Sequence, residues 1–264
     1  MLAESHVLVE PRPLALQLPI AHTPHEPRTT YRARLASTEA DRLAACRLRF
    51  LVFNLELNEG LESAYIDGYD TDAFDAVCDH LIVEHATSGV VVGTYRLQPG
   101  DNAASNLGYY SEQEFDFAPF EHIRSRTVEL GRACVHRDHR SSEVLNLLWK
   151  GIVQYARQHN ASYLIGCCSL TSQDPLEGHA LYQQLLPCLA EPALQTLPTA
   201  RYALPPVTEP LPATEVPRLL RAYLALGARI CGPPAIDRDF RTIDYLTLIN
   251  LDTLHPRVAR RFCD

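Results

Sequence analysis

A chain of 264 residues, 46% of them hydrophobic, can bury one sizeable core, or one core with an appendage. Its 32 acidic and 24 basic residues give a formal net charge of -8, which argues against a nucleic-acid binder, since that needs a basic footprint. No stretch approaches the roughly 18 apolar residues of a membrane span, and Met1–Pro13 lacks the basic start and apolar centre of a signal peptide, so any membrane contact is expected to be peripheral.

Residues 1–36, punctuated by prolines and without a sustained period, are predicted to be an extended arm. A helix is predicted from Thr38 to about Leu57, with Asp41 completing a capping box and Leu43, Arg47, Phe50 and Asn54 on one face. Residues 58–78 carry turn formers and read as a loop. His80–His85 and Val90–Leu97 form a predicted hairpin around Thr87-Ser-Gly89. Ser111 and Glu114 have the spacing of a capping box for a short helix, and Val128–Val135 reads as the next strand.

Ser141 or Ser142 is predicted to cap a long amphipathic helix ending near Gln158, with Val144, Leu147, Leu148, Gly151, Ile152 and Tyr155 facing inward. A strand over Ser162–Leu170 and a helix over Glu177–Leu186 follow. Pro187–Pro217 holds eight of the 19 prolines and is expected to be a connector or lid. A helix stopped by Gly227 and a last strand over Phe240–Leu251, pairing back onto the sheet, complete the chain. Strands alternating with helices imply an α/β (α+β) layer with a mixed central sheet. Three regions result: the arm at 1–36, a core at 37–187, and a proline-rich connector, helix and strand at 188–264.

None of the eight cysteines forms a C-x-x-C pair, and several sit in apolar runs such as Ile165-Gly-Cys-Cys-Ser169. They read as small buried hydrophobes of a reducing cytoplasm. Cys134, His136 and His139 lack a nearby fourth ligand, so no metal is expected.

Four motifs occur in order: Arg47-Leu-Arg-Phe50-Leu-Val-Phe53, Asp72-Ala-Phe-Asp75-Ala-Val-Cys78-Asp-His80, Val92-Gly-Thr-Tyr-Arg96-Leu97 and Glu129-Leu-Gly-Arg132-Ala-Cys-Val135. Gly108-Tyr-Tyr-Ser111, Leu148-Trp149-Lys-Gly151, Gly166-Cys-Cys-Ser169 and Cys231-Gly-Pro-Pro234 extend the set. From about residue 31 to the end, the chain resembles the ornithine-lipid N-acyltransferases. These are related to the N-acyl amino acid synthases and acyl-homoserine-lactone synthases, all with the GNAT fold. The resemblance implies a cytoplasmic enzyme, peripheral at the inner membrane through its lipid product. Such an enzyme moves a long acyl chain, 3-hydroxylated or not, from acyl carrier protein to the α-amine of ornithine. It has no bound cofactor beyond the donor's phosphopantetheine thioester. The alternatives are acylation of glycine, tyrosine or lysine, lactone synthesis, which the long tail from Pro187 counts against, and a non-catalytic lipid or carrier-protein binding module.

Aminolysis of a thioester needs a neutral amine, an aligned carbonyl and a stabilised oxyanion. The resemblance places these on the strand Val128–Val135, with Glu129 as candidate general base; its structural alternative is a salt bridge to Arg132 or Arg96. In a regular strand Arg132 faces away from Glu129, and a bulge would bring the two together. Arg96 and Arg132, with Arg47 as a further candidate, either organise the 67–75 loop or bind the substrate carboxylate. Asp72 and Asp75 either bind a cationic amino acid or cap local turns. Arg137, Arg140, Ser141 and Ser142, at the start of the long helix, would meet the pantetheine phosphate or an acidic carrier helix. This Arg137-Asp-His-Arg140-Ser-Ser-Glu143 segment lacks the glycines of the acetyl-CoA loop, which favours a carrier protein. His80 is expected to be a packed histidine. Trp149 is expected in the core or the acyl-pocket wall, and Phe50, Phe53 and Phe74 are candidates to line an apolar slot with the Leu147–Ile152 helix.

Overall fold

The Thr38 hydroxyl accepts from the Asp41 N–H and the Asp41 carboxylate accepts from the Thr38 N–H, so the first helix begins where the capping box predicts. The computed structural model describes residues 30–263. Helix α1 (Glu39–Arg49) runs on without a break into a π-helical stretch, Phe50–Glu56. Wider π turns are rare and mark places where a helix is adjusted to a neighbouring site. The predicted single helix to Leu57 is therefore two helical forms end to end.

Tyr31–Leu35, expected in the arm, is an edge strand, β1, antiparallel to β2 (Asp79–His85). Arg32 and Arg34 tie it down by pairing with Glu84 of β2. The rest of the predicted arm, residues 1–29, lies outside the described residues. The predicted hairpin is present as β2 and β3 (Val91–Pro99), with the short helix α2 (Ala64–Asp67) ahead of it and α3 (Gly100–Ser105) after it. Next come β4 (Thr127–Val135), α4 (Ser142–Gln158), β5 (Tyr163–Leu170) and α5 (Pro175–Leu185). Ser141 caps α4 by accepting from the Val144 N–H.

The tail adds α6 (Arg218–Leu226), β6 (Arg229–Ile230), β7 (Ala235–Asp237), β8 (Thr242–Asn250) and α7 (Pro256–Cys263). Gly227 ends α6 in the left-handed conformation, as its position predicts. β6 and β7 carried no legible period, since two or three residues cannot show alternation, and α7 was not anticipated.

The mixed sheet has the order β1-β2-β3-β4-β5-β8-β6, with β7 also on β8. Neighbours are antiparallel except β4 and β5. β8 pairs along all of β5, from Tyr163–Asn250 to Leu170–Ile243, so the tail supplies an interior strand. α4 lays Leu148, Trp149, Ile152 and Tyr155 on one face of the sheet against Leu81, Tyr95 and Leu164. Trp149 is a core residue, its ring against Tyr223 of α6 and Phe262 of α7.

The β4–β5 pair is a fork. Its parallel ladder covers only Thr127–Tyr163 to Glu129–Ile165. Gly166 permits the closest approach at the crotch: a Cβ there would lie 2.2 Å from the Leu130 carbonyl oxygen. Beyond it the strands part, and the edge of β4 loses its partner on that side. β4 also bulges against β3, the register shifting between Thr94–Cys134 and Arg96–Gly131. Arg132 takes the extra place with φ +50°.

Candidate active site

A cavity of about 810 Å³ opens from the fork. Leu130–Val135 of β4, Cys167 and Ser169 of β5, and Arg140–Ser142 at the head of α4 line it. Val52 and Phe53 of the π-helical stretch, Leu148 of α4, Leu219 and Tyr223 of α6, and Phe240 give it a long apolar wall. Among the candidates for an apolar slot, Phe53 and Leu148 reach it. Phe50 instead stacks on Tyr65, and Phe74 on Tyr110.

Glu129 stands at the crotch, 5% exposed, on the cavity wall. Neither Arg96 nor Arg132 pairs with it. Its carboxylate is held by the turn at Tyr110–Gln113: the Tyr110 N–H donates to Oε2 (2.8 Å), and the Ser111 N–H (2.8 Å) and hydroxyl (2.5 Å) donate to Oε1. The predicted Ser111–Glu114 capping box is therefore not formed, because the Ser111 hydroxyl is committed to Glu129. A carboxylate has about four acceptor positions, so one on Oε2 stays open. Burial raises the Glu129 pKa above the ordinary value, and the donated bonds only partly counter it. A carboxylate raised in this way is a better proton acceptor near neutrality.

Arg96 and Arg132 serve the 67–75 loop. Arg96 reaches Asp72 (2.6 Å) and Asp75 (3.3 Å); Arg132 reaches Asp72 (2.8 Å) and lies 3.8 Å from Asp70. The third cation is Arg49, fully buried, gripping Asp75 with both terminal nitrogens at 2.7 Å and Asp70 with Nε at 2.8 Å. Three guanidinium groups thus neutralise three carboxylates. Arg47, the sequence candidate, is exposed, donates to the Gly68 carbonyl (2.8 Å) and stacks on Phe50. Two residues along a helix is about 200°, so Arg47 and Arg49 face nearly opposite ways: Arg47 meets the loop only at the Gly68 backbone, and only Arg49 reaches its acids.

Asp72 and Asp75 both cap a local turn and pair with arginine. Burial alone would raise Asp72, but Arg96 and Arg132 outweigh it and leave it low; Arg49 does the same for Asp75. Their charges are thus met by arginine within the fold. His80 is buried, its Nε2 3.3 Å from the Asp75 carbonyl, and burial lowers its pKa. The Tyr110 ring lies between Arg96 and Arg132, each 5.3 Å from its centroid.

At the head of α4, Arg140 donates to the Val135 carbonyl and forms a forked pair with Glu56 (2.7 and 2.8 Å). Ser141 and Ser142 line the cavity beside it. Arg137 is largely exposed, 3.8 Å from Asp138, and lies off the cavity. Exposed Arg218 of α6, which sequence alone did not single out, also lines the cavity. Cys134 is buried, while His136 accepts from the Asp138 N–H and His139 bonds to the Tyr31 hydroxyl.

A second group of acids was also missed. Glu114, Asp237 and Asp244 are 1%, 3% and 4% exposed. They come from a turn, from β7 and from β8, and the turn lies more than a hundred residues before the two strands in sequence. β8 is buried along almost its whole length, and a strand buried on both faces shows no period that would pick out Asp244.

An acetyltransferase (GNAT) domain family matches residues 48–150. The chain is 34% identical over 250 residues to an L-ornithine N(alpha)-acyltransferase of Agrobacterium fabrum, covering 86% of this chain and 83% of that one. A protein of the same description from Brucella abortus is 33% identical, covering 85% of each. The chain belongs to the L-ornithine N(alpha)-acyltransferase family. Among solved structures, the AHL synthase LasI superposes with a TM-score of 0.51 at 13% identity, covering 89% of this chain and 95% of LasI, a likeness of fold. This acyltransferase therefore carries the GNAT sheet, with its fork at β4–β5 and Glu129 at the crotch. No helix among the described residues is long and apolar enough to cross a membrane.

Proposed function

We propose that this acyltransferase transfers a long acyl chain, 3-hydroxylated or not, from acyl carrier protein to the α-amine of L-ornithine, giving the lyso form of ornithine lipid. The observation that carries the reading is the placement of Glu129: a buried carboxylate with raised pKa and one open acceptor position, on the wall of the cavity where the sheet forks. The α-ammonium gives a proton to Glu129, directly or through a water. The neutral amine attacks the thioester carbonyl, an amide C–N bond forms as the C–S bond breaks, and the pantetheine thiol takes the remaining proton.

The unpaired edge of β4 supplies backbone groups for the thioester. Arg132, on the cavity wall, keeps Nε without a partner and offers a donor to the acceptor's carboxylate. Arg140, Ser141, Ser142 and Arg218 stand where a single phosphodiester would lie, and the helix N-terminus favours an anion there. The apolar wall from Phe53 to Tyr223 suits a long chain. The ornithine acceptor follows the relatives. On this reading the protein works in the cytoplasm and meets the inner membrane peripherally, through its lipid product.

The test is purified protein with one long-chain acyl carrier protein and a panel of amino acids. N-acyl-ornithine as the main product supports the reading. Acyl-homoserine lactone formed from S-adenosylmethionine, or no acylated amine at all, overturns it.

A further inference from the structure

The cavity has a second chemical end. Besides the apolar wall it is lined by Asp237, Asp244, Cys167 and Ser169. Asp244 is 4% exposed, and its Oδ1 has no hydrogen-bond partner. Behind it, Glu114 also keeps one oxygen, Oε1, without a partner. The carboxyl groups of Glu114 and Asp244 and the Cys167 thiol lie within 4.8 Å of one another. Asp237 adds a third carboxylate, holding the Asp239 and Phe240 N–H groups at 2.8 Å through Oδ1.

No Lys or Arg among the described residues pairs with Glu114, Asp237 or Asp244, in contrast to the three neutralised acids of the 67–75 loop. Burial and the neighbouring acids push Glu114 well above the ordinary range and Asp244 up to about 6. Buried carboxylates without a counter-ion are costly, and unpaired oxygens facing a cavity call for a donor. Ser169, Thr242 and Glu114 meet Asp244 and the Cys167 thiol meets Glu114, but no Lys or Arg among the described residues does, so the compensating charge and the donor to Oδ1 are left to the occupant of the cavity.

We propose that the Asp244 end of the cavity, backed by Glu114 and Asp237, is a subsite for the side-chain ammonium of a diamino acid acceptor. The proposal rests on the acyl-transfer reading above. Cys167 joins the two ends: its Sγ lies 3.7 Å from the Ser111 hydroxyl, which holds Glu129, and 3.7 Å from Glu114 Oε2. An acceptor with its α-amine at Glu129 therefore extends its side chain past Cys167 toward Asp244. An ammonium group brings three donors and one positive charge, which answers the open Oδ1 and compensates the buried acid. A divalent metal fits less well. It would have to displace the Cys167 thiol proton, which burial and Glu114 hold tightly, whereas an ammonium needs no deprotonation there.

The experiment compares ornithine with norvaline, which has the same carbon skeleton without the terminal amine. Wild-type protein is expected to prefer ornithine by ~100-fold or more in kcat/KM, since a site with buried polar groups rejects a substrate that leaves them unpaired. In Asp244→Asn the ornithine value should fall and the ratio collapse toward one. Equal use of the two amino acids by wild type, or an unchanged ratio in Asp244→Asn, overturns the subsite while leaving acyl transfer intact. Loss of activity on chelation, restored by zinc, overturns it in favour of a metal. A binding readout separates the two proposals: 1,4-diaminobutane should raise the Tm of wild type more than butylamine does, and this difference should vanish in Asp244→Asn. No difference between the two amines in wild type overturns the subsite even if no acyl transfer is found.

Discussion

The Ser111 hydroxyl lies 2.5 Å from Glu129 Oε1, and no arginine reaches that carboxylate. The proposed base is thus positioned by a turn rather than by an ion pair. Burial raises its pKa, outweighing the Ser111 and Tyr110 bonds and the more distant charge of Arg96. Glu129→Gln is expected to lower kcat by ~100-fold or more. Steady-state rates with a long-chain acyl carrier protein and ornithine check this. Near-normal turnover would demote Glu129 to a structural acid.

Ser111→Ala tests positioning. The hydroxyl bond favours the ionised carboxylate, so its loss should raise the Glu129 pKa further. On the proposed mechanism turnover requires the ionised form, so the acidic limb of the kcat–pH profile should move to higher pH. A change in rate with no movement of that limb would mean the hydroxyl acts only through packing.

The two arginines of α1 are expected to behave very differently. Arg49→Met removes the cation of a buried pair and leaves Asp70 and Asp75 uncompensated, at a cost of about 3–5 kcal/mol. Arg47→Met loses one exposed bond to a carbonyl and should cost less than about 1 kcal/mol. Urea unfolding at neutral pH gives both values. Equal costs would contradict the buried network.

Gly166→Ala places a methyl group against the Leu130 carbonyl oxygen, where only backbone movement can relieve the clash. The expected cost is about 1–3 kcal/mol, with acyl transfer falling as well, because the crotch of the fork must widen beside Glu129. Full activity in a stable Gly166→Ala protein would show that the fork tolerates that movement.

Glu59, on the cavity wall, has its pKa pushed up to about 7 by burial, with Asp244 adding to it and the Thr171 hydroxyl opposing. Between its ordinary value of 4.5 and about 7, the folded protein binds this proton more tightly than the unfolded chain does. The unfolded state then holds fewer protons, so this group lowers stability as pH rises through that window. Glu59→Gln removes the effect. Its Tm is expected to exceed that of wild type at pH 8 and to match it near pH 4. Thermal melts at the two pH values check the sign.

Local signals determined much of this protein. The Thr38–Asp41 box, the Thr87–Gly89 hairpin, the Ser141 cap and the Gly227 stop each act over a few residues, so each is legible where it stands. The ordered motifs around Arg96, Glu129 and Arg132 carried the fold and the family, and the proposed base was legible with them. What remained hidden depends on contacts far apart in sequence. Whether Arg47 or Arg49 enters the network depends on which helix face meets the acids of the 67–75 loop, and both lie in one short motif. The Ser111–Glu114 spacing fits a capping box, yet Glu129 claims the hydroxyl once β4 is laid beside it. The acid pair Asp72–Asp75 is neutralised, whereas Glu114, Asp237 and Asp244 converge without a cation only because β8 inserts beside β5. Sequence fixes which groups are charged; the sheet order decides which charges find partners, because ion pairing and burial fall off within a few ångströms and most of the partners lie tens of residues away.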